Sequence, residues 1–215
     1  MPDDIAATIH ENLSHYPKRS YAKGQILAFA DESPEHIFYI TEGRVRQYAI
    51  SYRGDEIVVN TYKPPAFFPM VWALAHVPNK YFFKAETDIA VHLVPLADAQ
   101  KFLADNPDVA LDLLTRVYRG MEGVLGRLVH LMSGTARSRL IYELIVESRR
   151  FGQGKGESVT LEANETDLAA RSGLSRETVS REITKLKGSC WLKLDGKRIV
   201  ITDLTALEQA LGQEV

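Results

Sequence analysis

At Pro95 the hydrophobic pattern of this chain changes period. Before it, short apolar runs (QILAF, HIFYI, RVRQYAI, EIVVNTY, then YFFKAETDIAVHLVP) alternate with turn signals. These fall at Lys23-Gly24, Glu42-Gly43, Arg53 to Asp55 and Lys63 to Pro65. Short strands at such regular spacing predict a β-sandwich or barrel. Ahead of them, Ile5, Ile9 and Leu13 are spaced as on a short helix. After Pro95 the apolar residues recur every three or four positions. LADAQKFLADNP predicts a short helix ending near Asn106-Pro107, and a long helix follows. The expected class is α+β, a β domain leading into helices.

In the long helix, Leu114, Val117, Met121, Val124, Leu128 and Leu131 alternate spacings of three and four. That is the a/d seam of a two-helix coiled coil. Periodicity leaves two readings open, a helix lying on its own core or a dimer interface. Gly120, Gly123 and Gly126 fall off the seam, and each costs about 1 kcal/mol relative to Ala. A helix so weakened needs packing to hold it. Ser133 to Thr135 (SGT) looks like a hinge. RSRLIYELIVESRR then predicts an amphipathic helix, FGQGKGES a connection and VTL a short strand.

The chemistry concentrates in SGLSRETVSREITKLK, Ser172 to Lys187. Upstream, Asn164 is a good helix N-cap with Asp167 at the third helical position. The helix it starts turns Leu168 and Ala169 inward. Ser172-Gly173-Leu174 makes a turn and Ser175 caps a second helix, so the unit reads as a helix-turn-helix. At 100° per residue, Val179, Ile183 and Leu186 form a buried stripe. Arg176, Glu177, Ser180 and Arg181 lie on a different face near the helix start, where major-groove readout needs them. Arg bonds guanine O6 and N7 together, and Glu accepts from cytosine N4. The hydroxyls of Ser175, Thr178 and Ser180 suit phosphates or base edges. The alternative, a solvated face of Arg–Glu pairs, loses ground to the hairpin WLKLDGKRIVIT that follows. Its Asp195-Gly196 turn gathers Lys193, Lys197 and Arg198 at the tip, where a wing touches the DNA backbone.

Composition bounds the rest. The 215 residues allow one large or two small domains, and 45% apolar with 25% charged content is ordinary for a globular protein. The net charge of −2 excludes a broadly polycationic binder and leaves room for a local basic patch. The single Cys190 excludes an internal disulfide and cannot by itself hold an iron–sulfur cluster. Between a recognition helix and a wing it is expected to be buried and inert rather than redox-active. No signal peptide and no membrane-length apolar run are found, so a cytoplasmic protein without membrane contact is expected.

The order of parts resembles the cyclic-AMP receptor protein / fumarate-nitrate reduction regulator (CRP/FNR) family over nearly the whole chain. GLSRETVSR carries the resemblance most strongly, and KGQIL, HIFYITEGRVRQY and GDEIVV look like the family's β-roll, with Gly24, Gly43 and Gly54 at its turns. The resemblance implies an N-terminal jelly-roll, a double-stranded β-helix like a cyclic-nucleotide-binding domain, over 1–106. It implies a dimerisation helix over 107–132 and a winged helix-turn-helix over 133–215. It implies a homodimeric bacterial regulator of transcription, double-stranded DNA and RNA polymerase as partners, and base reading by Arg176, Glu177 and Arg181. The implied operator is an inverted repeat of TGTGA-like half-sites, or TTGA-like ones given Ser180 before Arg181.

The family's phosphate-binding cassette is where this chain departs. Its region reads PPAFFPMVWALAHVPNKYFFKAETD. Pro69-Met70 stands where nucleotide-binding members carry Gly-Glu, and Phe82 or Phe83 stands near the family's Arg. A cyclic phosphate needs a bidentate cation and backbone donors; Lys80 and Lys84 offer only point charges. Cyclic AMP is therefore not expected, unless through a non-standard pocket. Phe67, Phe68, Met70, Trp72, Tyr81, Phe82 and Phe83 either line an apolar effector pocket or simply fill the roll. The resemblance also raises haem, through Pro2 and His76, but His76 lies several residues past the ligand position. The effector is left unidentified, and a constitutively active protein is the other outcome. A binding module whose helix-turn-helix contacts protein is a competitor. So is a cupin-like enzyme, but His36, His76 and His92 lack the spacing of its metal ligands.

Overall fold

A computed structural model describes residues 3–70, 74, 77–154, 158–196 and 198–212. Pro2, Trp72, His76 and Lys197, all named above, lie outside them. Contacts divide the chain into two compact units, Met1–Tyr118 and Arg119–Val215.

The first unit opens with α1 (Asp3–Leu13) and continues through eight strands among the described residues. They are β1 (Lys18–Tyr21), β2 (Ile26–Ala28), β3 (His36–Glu42), β4 (Val45–Ile50), β5 (Glu56–Tyr62), β6 (Ala66–Phe68), β7 (Phe82–Ala85) and β8 (Ile89–Pro95). Two four-stranded sheets form, ordered β1-β8-β3-β6 and β2-β7-β4-β5, with antiparallel pairing throughout. Helices α2 (Leu96–Asp105) and α3 (Pro107–Ser133) follow.

Side chains alternate across a strand, and β3 shows the consequence. Phe38 and Ile40 enter the space between the sheets, while Ile37 and Tyr39 face the helices. Between the sheets, Phe68 stacks on Phe83 at 4.6 Å, Tyr62 at 5.1 Å and Phe38 at 5.3 Å. Burying each such Phe contributes about 1.5–3 kcal/mol. On the other side, Tyr39 and Phe67 pack with Ile9, Leu13, Phe102, Leu103 and Val109. The β3–β4 turn needs glycine: Gly43 has φ +82°, and a Cβ there would lie 2.3 Å from the Asp88 carbonyl oxygen.

The second unit holds the C-terminal part of α3, then α4 (Ala136–Phe151), β9 (Val159–Leu161), α5 (Glu165–Ser172) and α6 (Arg176–Gly188). The hairpin β10 (Leu192–Asp195) and β11 (Arg198–Ile201) and helix α7 (Leu204–Gly212) complete it. Its sheet runs β10-β11-β9. One core joins Leu140, Ile141 and Leu144 of α4 to Leu168, Val179, Ile183 and Leu186 of the helix pair and to Ile199 and Ile201 of the hairpin. The architecture is the expected one: an antiparallel β domain, a long helix and a helix-turn-helix with a hairpin wing.

The segment read as a hinge, Ser133 to Thr135, is a bonded corner. Helix α3 runs through Ser133, and the Gly134 N–H donates to the His130 carbonyl at 3.0 Å. Thr135 caps α4, its Oγ1 accepting from the Ser138 N–H at 3.1 Å.

Candidate nucleic-acid interface

Local chemistry fixes both helices of the motif. The Asn164 side chain accepts from the Asp167 N–H at 2.9 Å and starts α5. Gly173 ends it with φ +63°, the left-handed cap that favours glycine. Ser175 Oγ accepts from the Thr178 N–H at 3.2 Å and starts α6. Val179, Ile183 and Leu186 are fully buried, as the 100° spacing requires.

The opposite edge of α6 is exposed at Arg176, Glu177 and Arg181. Arg181 donates through Nη2 to Thr178 Oγ1 at 3.2 Å. Arg176 Nε lies 3.6 Å from Glu165 Oε2. The Glu177 carboxyl is held below the usual carboxylate range by hydrogen bonds from its own backbone N–H and from Ser175, with help from Arg176 and Arg181. Ionised, it is an acceptor only, the form that accepts a hydrogen bond from the cytosine N4 amino group.

Of the residues nominated for the DNA backbone, Ser175 and Thr178 spend part of their bonding on the helix cap. Ser180 is half-buried. Lys193 is exposed on β10, and Arg198 is exposed beside the hairpin turn, 3.7 Å from Glu162 Oε1. Cys190 departs from expectation. It is exposed, and its φ of +59° puts a non-glycine residue in the left-handed region. It leads out of α6 toward β10 on a tight turn, which keeps its side chain outside the core.

Three supports of the motif escaped the sequence reading. Arg139 of α4 donates to the Ser172 carbonyl through Nε at 3.2 Å and Nη2 at 2.9 Å, and to the Gly173 carbonyl through Nη2 at 2.7 Å. Glu143, fully buried, pairs with Arg127 of α3 through both oxygens, Nη2 to Oε2 at 3.0 Å. Burial opposes the Arg127 charge, but Glu143 outweighs it and leaves the guanidinium more firmly protonated than usual. Glu147 pairs with Arg171 at 3.3 Å, both buried. Glu143 and Glu147, four apart inside the apolar run of α4, were the available signal. Nearby, Tyr142 Oη donates to the Gly123 carbonyl at 2.8 Å, and the His130 ring lies 4.7 Å from the Tyr142 ring.

The seam residues Leu114, Val117, Met121, Val124, Leu128 and Leu131 are all exposed, each 44–56% accessible. The described members of the aromatic set do not line one space. Phe68, Phe83 and Tyr81 belong to the filling between the sheets, whereas Phe67 and Met70 pack toward the helices. Phe82 stacks on Tyr48 at 5.3 Å, on the side of β7 away from Phe83. Two solvent-open depressions of this unit, about 400 and 230 Å³, are bordered by none of these residues. Lys80 is paired with Asp31 at 3.0 Å, and Lys84 with Glu56, so both point charges near the cassette have carboxylate partners.

Among the described residues, no helix is long and apolar enough to cross a membrane, and no cluster of His, Cys, Asp or Glu is set to hold a metal ion. The profile of the Crp-like helix-turn-helix domain matches residues 136–210, and that of the cyclic nucleotide-binding domain matches 18–106. The global nitrogen regulator of Synechococcus elongatus is 25% identical over 197 residues, 88% of this chain and 87% of the relative. The CRP-like cAMP-activated global transcriptional regulator of Mycobacterium tuberculosis is 22% identical over 185 residues, 85% and 83% of the two chains. The fold matches that of a CRP/FNR-family transcriptional regulator from Thermus thermophilus, with TM-score 0.75, 21% identity and coverage of 93% and 100%. It also matches FixK2 from Bradyrhizobium japonicum, with TM-score 0.73, 24% identity and coverage of 90% and 96%. With a helix-turn-helix whose reading edge is exposed and whose turn is closed by Arg139, the chain belongs to the CRP/FNR family of DNA-binding transcription regulators.

Proposed function

We propose that this regulator acts in the cytoplasm as a homodimer on an inverted-repeat operator with TGTGA-like or TTGA-like half-sites. The observation that carries the reading is the sorting of α6. Arg176, Glu177 and Arg181 share its exposed N-terminal edge while Val179, Ile183 and Leu186 are buried behind them. Arg176, Glu177 and Arg181 read bases. Ser175, Thr178, Ser180, Lys193, Lys197 and Arg198 position the protein on the phosphates. In a dimer, two such helices enter successive major grooves about 34 Å apart. The exposed apolar residues of α3, Leu114 to Leu131, support pairing through that helix, since a contiguous apolar face marks an interaction surface. RNA polymerase is the further partner of a regulator so placed.

For control, the reading is an effector other than cyclic AMP, or a default active state. The stacked Phe38, Phe68, Phe83 and Tyr62 rings between the sheets support it, as do the carboxylate partners of Lys80 and Lys84. The test is fluorescence anisotropy of the purified protein, with nothing added, on a TGTGA/TCACA palindrome, a TTGA-type palindrome and a scrambled duplex at fixed salt. Selective binding to either palindrome supports a default active state. Unselective binding on all three is followed by random-sequence selection: an inverted repeat with other half-sites overturns the operator proposed here, a site with no inverted repeat overturns the dimeric reading, and recovery of no site points to the effector-dependent form.

A further inference from the structure

Two arginines that the proposed function assigns to DNA are each met by a glutamate from one short stretch, Leu161 to Glu165. Glu162 Oε1 lies 3.7 Å from Arg198 Nη2, and Glu165 Oε2 lies 3.6 Å from Arg176 Nε. Carboxylates beside a nucleic-acid surface carry a cost, because they repel the phosphates that the arginines attract. Glu165 is the first helical residue after the Asn164 cap, where an acid also favours the helix macrodipole. That accounts for an acid at this position, but not for its seat against Arg176.

The Arg176 side chain is 69% exposed, and Glu165 is its one ion-pair partner among the described residues. A long exposed side chain loses rotamer freedom when it binds, and a contact that restricts it beforehand lowers that loss. The carboxylate stands nearest Nε, at ion-pair rather than hydrogen-bond distance, and neither Nη1 nor Nη2 hydrogen-bonds another described residue. The Nη1/Nη2 end is the fork that meets guanine O6 and N7 together. We infer that Glu165 is a positioning residue for base recognition, its carboxylate holding Arg176 by Nε so that Nη1 and Nη2 present to a guanine of the half-site. The inference rests on the base-reading role proposed for Arg176.

Glu162 provides an internal contrast. It carries the same charge on the same stretch, but its arginine is assigned to the phosphates, which hold no sequence information. Neutralising Glu162 therefore tightens binding to every sequence alike. Neutralising Glu165 in addition erodes the choice made at a single base pair.

The test is anisotropy on the tightest duplex recovered by random-sequence selection, and on duplexes with each base pair of its half-site replaced in turn. Wild type, Glu165→Gln, Glu162→Gln and Arg176→Ala are compared at fixed salt. Arg176→Ala identifies the base pair that Arg176 reads. At that pair, Glu165→Gln is expected to lower discrimination by about two- to fivefold, the span of an exposed ion pair, with the other positions unchanged. Glu162→Gln is expected to tighten all duplexes together and keep every preference. If Glu165→Gln also tightens all duplexes together and keeps every preference, the carboxylate acts only through its charge or its helix end. The positioning role is then wrong while base reading by Arg176 stands. If Arg176→Ala alters no single position, the base-reading role fails and this inference fails with it.

Discussion

Arg139 Nη2 donates to the Gly173 carbonyl at 2.7 Å, so a side chain of α4 closes the left-handed turn between the two helices of the DNA-binding motif. The same group also serves the Ser172 carbonyl. Arg139→Ala removes a charged donor from both, an expected loss of about 1.5–3 kcal/mol in urea unfolding. Because the turn sets the pose of α6, operator affinity is expected to fall as well. Unchanged stability would show that the turn holds itself.

The Arg127–Glu143 pair joins α3 to α4 with the carboxylate fully buried. Glu143→Ala strands a guanidinium, and Arg127→Met strands a buried carboxylate. Each is expected to cost about 3–5 kcal/mol. The Arg127→Met/Glu143→Leu double variant is expected to recover most of that, and a double-mutant cycle by chemical denaturation measures the coupling.

His130 gives the second unit a pH dependence. Burial pushes its imidazole below the ordinary 6.5, and Glu143 offsets this only in part. Its Nδ1 has no hydrogen-bond partner among the described residues. The folded chain thus binds this proton more weakly than the unfolded chain. The stability of the neutral form is present above the unfolded value, and it is lost as pH falls through the depressed folded value. Between about pH 8 and about pH 5, wild type is expected to lose more unfolding free energy than His130→Phe, which cannot titrate. Equal losses in urea titrations would refute the assignment.

Two glycines of α3 are expected to respond oppositely to alanine. A Cβ at Gly126 would lie 2.2 Å from Tyr142 Oη, whereas Gly120 has no neighbour within 4 Å. Gly120→Ala is expected to stabilise by about 1 kcal/mol through helix propensity. Gly126→Ala forfeits that gain, because Tyr142 must leave its bond to the Gly123 carbonyl. Thermal melts of the two variants side by side make the comparison.

On the proposed dimer, Val124→Glu places a charge in the seam. Sedimentation velocity is expected to show a shift from dimer to monomer, and operator affinity is expected to fall by about tenfold or more. A variant that stays dimeric and binds normally would move the interface elsewhere.

What the sequence made legible was short-range. The Asn164 and Ser175 caps, the Gly173 turn and the stripe Val179, Ile183, Leu186 all follow from residues within a few positions of each other. Arg139 reaches carbonyls more than thirty positions away, and Arg127 meets Glu143 across a corner; no local period encodes either. The aromatic set stayed between two readings for a different reason. Phe67 and Phe68 are adjacent in one strand, as are Phe82 and Phe83, so the pleat sends each pair to opposite faces. That alternation divides the set, and its between-sheet members fill the roll, one of the two readings that the sequence left open. Cys190 was misread because a left-handed residue at the end of α6 turns its side chain away from the core.

The corner between α3 and α4 behaves as a bracket. The Thr135 cap, the Arg127–Glu143 pair and the Tyr142–Gly123 bond clamp it on both arms. The end of α3 is thereby tied to α4, and through it to the Arg139 that grips the turn of the motif. Loosening any one of these three contacts is therefore expected to loosen the hold of α4 on that turn.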